Sequence, residues 1–302
     1  MDHDVAIAGG GPAGLAAALT LARMRRSVVL FDNDDPAHGV SDAVHGMFGH
    51  DGTPPHELRR LGREQLLRYE SVTLVSCAVD AVTPVAGGFA VQAGASAVEV
   101  PAVLLATGMG YGLPPLDGVA DVWGRGAYHC PYCHGWEVRD RSVAAYGPDA
   151  AGLALLLVSL CDDIVVFTGG IGELDADDAA LLQRAGIPVR DDRVRRVEAA
   201  DGGVLIVFED GSAVERAAIF FMPRVEASPL GRALGCDTTE SGLIHVDADG
   251  RTSVAGVFAA GDATTDRRAV VLAAAGGSRA AYAICSDLAR GRLPLAEAAA
   301  LR

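Results

Sequence analysis

Apolar residues in this chain gather in short, nearly continuous runs, each followed by a glycine-rich turn and then by a stretch of helical period. Residues 4–8, DVAIA, form a run of strand length. GGGPAGL follows, AAALTLARM continues as a helix, and SVVLFD supplies a second strand. The same order returns in RSVAAYGPDAAGLALLLVSL followed by DIVVFT. A third apolar strand, within TSVAGVFAAGDATT (residues 252–265), ends in Gly-Asp and precedes the helical pattern RRAVVLAAAGGSRAAYAICSDLA. Between these units, Thr53 is expected to cap a helix with Pro54 as its first residue and an end near Tyr69. AVTPVAGGFAVQAGASAVEV alternates like a small hairpin. The pattern predicts an α/β protein whose first strand–loop–helix–strand unit is a Rossmann-like dinucleotide-binding fold.

The first glycine loop sits between its strand and its helix, where it carries chemistry. Gly9 allows the tight turn, Gly11 lets backbone approach a pyrophosphate, and Gly14 lets helix and strand pack closely. Asp32 closes the second strand, where an acid holds a ribose hydroxyl. This loop alone does not choose between FAD and NAD. Asp262, at a strand end facing a helix start, suits a polyol such as the ribityl chain of a flavin.

The stretch GAYHCPYCHGWEV, residues 126–138, holds Cys130 and Cys133 three positions apart. Two cysteines at that spacing can close a disulfide within one turn, and a thiolate at a helix start is favoured by the dipole. The pair is a candidate two-electron store, with His134 as its acid-base group. The bland alternative makes His129 and His134 polar residues at a helix start. A zinc site built from His129, Cys130, Cys133 and His134 is disfavoured because no second ligand pair exists and adjacent residues rarely point at one ion, so no metal is expected. Cys77, Cys161, Cys236 and Cys285 stand among apolar neighbours as small buried hydrophobes.

Composition narrows the partners. With 302 residues, half of them hydrophobic, the chain can bury two domain cores, and its net charge of -14 repels nucleic acid and anionic membrane faces. The longest apolar run, Ala150 to Leu160, stops at Asp149 and Asp162, well short of the roughly 20 residues that cross a bilayer, and reads as a buried helix. The opening MDHDVAIAGGG shows no export pattern, so a cytoplasmic location is expected.

The order of these motifs, with LLATG at residues 104–108, resembles the low-molecular-weight thioredoxin reductase family of flavoproteins over nearly the whole chain. The resemblance implies FAD, an α/β fold of two Rossmann-like dinucleotide-binding domains with the second inserted in the first (a split FAD domain of residues 1–110 and 238–302, and an inserted nucleotide-type domain of 111–237 carrying the cysteine pair), and a homodimer. It places FAD contacts at Gly9, Gly11, Pro12, Ala13, Gly14, Asp32, His45, Val79, Thr107, Gly108, Gly261, Asp262 and Ala269. His134 stands where thioredoxin reductases carry an acid. HCPYCHGWEVRD, taken with HGMFGHDGTPP near residues 45–55, is similar to the FAD-dependent dithiol oxidases that close disulfides in natural products of the dithiolopyrrolone and gliotoxin type.

A reductase of this family needs a second loop for NADPH, and here that loop is poor. From Gly147 it runs Gly-Pro-Asp-Ala-Ala-Gly, with the Asp149 carboxylate where a glycine would admit pyrophosphate. No basic residue lies between Thr168 and Gln183, where Glu173, Asp175, Asp177 and Asp178 stand instead. Losing two arginine–phosphate contacts weakens binding by roughly a hundredfold or more. The nicotinamide site is therefore expected to be vestigial and the current reversed. A small dithiol attacks Cys130, and Cys133, which the resemblance places nearest the flavin, passes electrons to FAD and on to O2, giving H2O2. Trp136, Tyr132 and Phe48 are expected to line the substrate pocket. Two other readings stay open: an NAD(P)H-dependent disulfide reductase acting on a thioredoxin-like protein, and a non-catalytic redox sensor.

Overall fold

The computed structural model describes residues 3–170 and 174–294. The chain divides into two compact units. The first comprises Met1–Gly39, Gly46–Gly110 and Val225–Arg302; the second comprises Val40–His45 and Tyr111–Arg224.

The first unit is built on a five-stranded parallel sheet in the order Val257–Ala259, Ala102–Leu105, Val5–Ala8, Val28–Phe31, Val72–Val75. Its central strands are apolar at every position because both faces are covered, as parallel sheets require. Val5 and Ile7 face one core layer with helices Pro12–Arg23 and Val270–Ala289. Ala6 and Ala8 face the other, with the antiparallel meander Ala81–Val85, Gly88–Ala93, Ser96–Val100. The sequence suggested a hairpin; the residues form three strands. A Cβ placed on Gly277 would lie 1.9 Å from the Ala13 carbonyl oxygen, so a hydrogen there is what lets the two long helices touch.

Two boundaries move from their sequence positions. The helix expected from Thr53 runs Pro55–Leu66, capped by Pro54 without a side-chain bond: consecutive prolines shift the start by one, since Pro55 takes the first helical position. The return from the second unit comes at Arg224–Val225, earlier than residue 237. The reason is packing: Leu230, Leu234 and Cys236 are buried in the first unit's core, in and after the short helix Leu230–Ala233.

The second unit repeats the plan. Its parallel sheet runs Val189–Arg190, Ile164–Phe167, Val143–Tyr146, Ala218–Phe220, Ala127–Tyr128. Helix Ala150–Leu157 covers one face and ends short of Leu160. The antiparallel strands Val194–Ala200, Gly203–Phe208 and Ala213–Arg216 close the other. Among the described residues no helix is long and apolar enough to cross a membrane.

Candidate active site

In the first unit, the three glycines of the loop do three different jobs. Gly9 sits at φ +111°, and a Cβ there would fall 2.2 Å from the Ala106 carbonyl oxygen. A Cβ on Gly14 would fall 1.9 Å from the Gly9 carbonyl oxygen. One on Gly11 would meet nothing within 4 Å. The open backbone at Gly11 lies at the start of helix Pro12–Arg23; Pro12 has no N–H to offer, and those of Ala13 and Gly14 lack intrahelical partners. That cradle fits a diphosphate.

The other FAD-assigned positions of this unit surround the same sheet end. Thr107 and Gly108 follow strand Ala102–Leu105, and Gly108, at φ +62°, also borders open space. Gly261 and Asp262 form a 3-10 turn after strand Val257–Ala259, and Ala269 caps helix Val270–Ala289. Burial pushes the Asp262 carboxyl up to about 6 against the opposing charge of Arg268. Val79 is half-buried and packs on the core layer around Val91 and Val100.

Asp32 ends the second strand and is held from helix Pro55–Leu66. Its Oδ2 accepts from Arg59 Nη2 at 2.7 Å and from Arg63 Nη2, and its Oδ1 accepts from the Asp34 N–H at 3.1 Å. Burial acts to raise this carboxyl, but the Arg63 bond and the Arg59 charge prevail and hold it below the usual carboxylate range. These arginines lie far from the glycine loop in sequence, and only their helical i,i+4 spacing hinted at a shared target.

In the second unit, Cys130 and Cys133 are joined by a disulfide, with Cα atoms 5.2 Å apart. Cys130 caps the short helix Pro131–His134, and its carbonyl oxygen accepts from the Cys133 and His134 N–H groups, both at 3.1 Å. Pro131, buried at the first helical position, fixes the turn that brings the sulfurs together.

His134 follows on the same turn. Its ring stacks on Tyr128 with centroids 4.3 Å apart, Nε2 lies 3.4 Å from Ser41 Oγ, and Nδ1 is buried without a partner. Burial lowers the His134 pKa below its ordinary value; Glu137 and Asp42 oppose that shift and His45 reinforces it. His45 Nε2 lies 3.4 Å from Glu137 Oε1. Every FAD-assigned residue except His45 falls in the first unit; His45 groups with the second, among the neighbours of His134. Ser41, Asp42, Tyr128 and Glu137 were missed by sequence reasoning. Only Glu137, three residues after His134, carried a local signal; the others arrive by tertiary folding.

His129 stands apart from His134: its ring lies 4.8 Å from Tyr111 and 5.6 Å from Trp123, in an aromatic cluster that Trp123 extends to Phe221. Among the described residues no group of three or more His, Cys, Asp or Glu is arranged to hold a metal ion. Tyr132 and Trp136 flank the disulfide in sequence but face solvent, 82% and 63% exposed, with Arg139 seated 4.1 Å over the Trp136 ring. Phe48, 97% exposed, belongs to the first unit. The expected walls are thus open surface.

At the second glycine loop, Gly147 sits at φ +93° and exposed Asp149 caps helix Ala150–Leu157 with no side-chain bond. Thr168 Oγ1 donates to Asp191 at 2.6 Å. Arg190, over the Phe167 and Phe208 rings, is paired bidentately with Asp192. The fold also brings a cation that the 168–183 run does not contain: a Cβ on Gly170 would lie 2.8 Å from Arg193 Nε. Glu173, one of the four acids counted in that run, lies outside the described residues.

Comparison with known proteins agrees with this architecture. The pyridine nucleotide-disulphide oxidoreductase family matches residues 3–283. Thioredoxin reductase aclD of Aspergillus oryzae is 32% identical, covering 95% of this chain and 96% of that protein. Thioredoxin reductase tcpT of Claviceps purpurea is 33% identical over 86% of each. The crystal structure of HlmI superposes with a TM-score of 0.91 at 36% identity, covering 95% of this chain and 93% of that one. The chain belongs to the pyridine nucleotide-disulphide oxidoreductase family, as a thioredoxin reductase-like, FAD-binding oxidoreductase.

Proposed function

We propose that this flavoprotein is a dithiol oxidase: it closes an intramolecular disulfide in a small dithiol, with O2 as final acceptor and H2O2 as product, in a homodimer. The observation that carries the direction is Asp149, an exposed carboxylate capping the helix whose N–H groups a nicotinamide diphosphate would need.

When bound through the Gly11 cradle, Asp32 and Asp262, FAD supplies the two-electron acceptor that oxygen regenerates. The remaining steps belong to the chain. A substrate thiol gives its proton to His134, which burial keeps neutral and therefore able to accept it. The thiolate attacks Cys130 Sγ, the Cys130–Cys133 bond breaks, and Cys133 leaves as a thiolate. The second substrate thiol gives its proton to the Cys133 thiolate, and its sulfur attacks the first at the mixed disulfide. Cys130 is released as a thiolate, and the substrate departs two electrons poorer as a cyclic disulfide. Glu137 and Asp42 stabilise the imidazolium formed on the way. His45, if it serves the cofactor, does so while bound to Glu137.

Turnover of a small dithiol with oxygen uptake tests the reading. Cys133→Ser should abolish it; unchanged uptake in that variant removes the disulfide from the mechanism. A second reading, a disulfide reductase drawing on a nicotinamide coenzyme, is favoured by one observation: Arg193 lies beside Gly170, where an anionic group could meet it.

A further inference from the structure

We infer that Arg59 and Arg63 are positioning residues for FAD: they cancel the charge of Asp32, so that this acid reads the adenosine ribose without repelling the diphosphate. Four observations converge.

The oxygen on which both guanidinium groups meet, Asp32 Oδ2, is also the one pressed against the glycine loop. A Cβ on Gly10 would lie 2.3 Å from it, one residue from the open cradle at Gly11. An uncompensated carboxylate there would stand beside the cradle offered to a diphosphate, in partly buried protein, where like charges cost most.

The compensation is complete and local. Arg59 Nη1 pairs with Asp34 Oδ1 at 2.7 Å, and Arg63 Nη2 approaches the same oxygen at 3.2 Å. Two acids and two arginines form one neutral network, leaving Asp32 Oδ1 with a single bond, from the Asp34 N–H, and lone-pair capacity for a ribose hydroxyl.

Stability alone is a poor reason for the arrangement. Arg59 is 5% exposed on a helix whose other buried residues are Pro55 and Leu66. A buried ion pair rarely outperforms an apolar residue of equal volume, so an arginine here points to the cofactor rather than to the core. The need is also acute, because a chain of net charge -14 gains further negative charge with its cofactor. Finally, both arginines are held on Asp32 and Asp34 rather than turned toward a ribose phosphate. The network suits a ribose with free hydroxyls.

This inference does not depend on which way electrons run. It is tested on purified holoprotein by diluting it and following released FAD through its recovered fluorescence. Arg63 is one-third exposed, so its variants keep the fold. Arg63→Gln should release FAD at least about tenfold faster, whereas Arg63→Lys, which keeps the charge, should stay near the wild-type rate. In the double variant Asp32→Asn/Arg63→Gln the repelling charge is gone, so release should be much slower than the product of the two single effects. Unchanged release in Arg63→Gln, a lysine variant as fast as the glutamine one, or a double variant that multiplies the single effects would overturn it.

Discussion

The imidazole of His134 lies flat against the phenol ring of Tyr128, with centroids 4.3 Å and planes 13° apart, one residue beyond the Cys130–Cys133 disulfide. The stack dries the imidazole, so His134 titrates below its ordinary value of 6.5. The neutral imidazole, the form that the proposed proton transfer needs, therefore persists to more acid pH than a solvated histidine would allow. The acid limb of kcat/KM for dithiol oxidation should fall below pH 6.5, and Tyr128→Ala should move it upward as water reaches the ring. His134→Asn should lower turnover by about 10²–10⁴-fold. A limb that stays in place in Tyr128→Ala would dissociate the stack from the proton transfer.

Two glycines of the same loop should fail differently. Gly11→Ala adds a methyl where nothing stands within 4 Å, at φ -77°, so the protein should fold normally yet lose FAD. Gly14→Ala drives a methyl to within 1.9 Å of the Gly9 carbonyl oxygen and should prevent soluble folding. Flavin absorbance and circular dichroism of the two purified variants separate the cases.

Much of this was legible in the sequence, and the loop shows why. Strand, glycines and helix are set by local sterics, so Gly9, Gly11 and Gly14 could be assigned roles from order alone. The CxxC pair was equally plain, because its geometry lies within one turn. What surrounds His134 was not legible. Ser41 and Asp42 come from a loop some ninety positions earlier, since Ser41 meets His134 at a separation of 93 residues, and no period links them. Arg193 beside Gly170 was missed for the same reason: a scan along 168–183 cannot see the segment that precedes strand Val194–Ala200. Thr53 failed as a cap because two consecutive prolines decided the helix start instead.

Asp262 predicts a trade between cofactor and fold. Its carboxyl is raised to about 6 from 3.8 by burial, so between those values the folded protein holds a proton that the unfolded chain has lost. Stability should thus decline as pH rises through that window and stay reduced above it. In flavin-free protein at pH 7, Asp262→Asn should raise stability by about 1–3 kcal/mol, while holoprotein carrying the same change releases FAD faster. Denaturant melts at pH 4 and pH 7 check the sign: the gain should shrink at the lower pH.

Asp149 predicts a gain. Replacing it by glycine removes the carboxylate at the start of helix Ala150–Leu157 and frees backbone for a diphosphate. Asp149→Gly should speed flavin reduction by NADH or NADPH by about tenfold, the effect of one unfavourable charge contact. Stopped-flow absorbance reads it directly, and an unaltered rate would mean that this carboxylate is not what bars the coenzyme.

The central claim, that electrons enter from a dithiol through Cys130 and Cys133 rather than from a nicotinamide, is tested most directly by anaerobic mixing of the oxidised holoprotein with each donor while flavin absorbance is followed. A small dithiol should bleach the flavin within the turnover time, with peroxide appearing once air is admitted, and NADPH should leave it yellow. Rapid bleaching by NADPH, with none by the dithiol, would contradict the account.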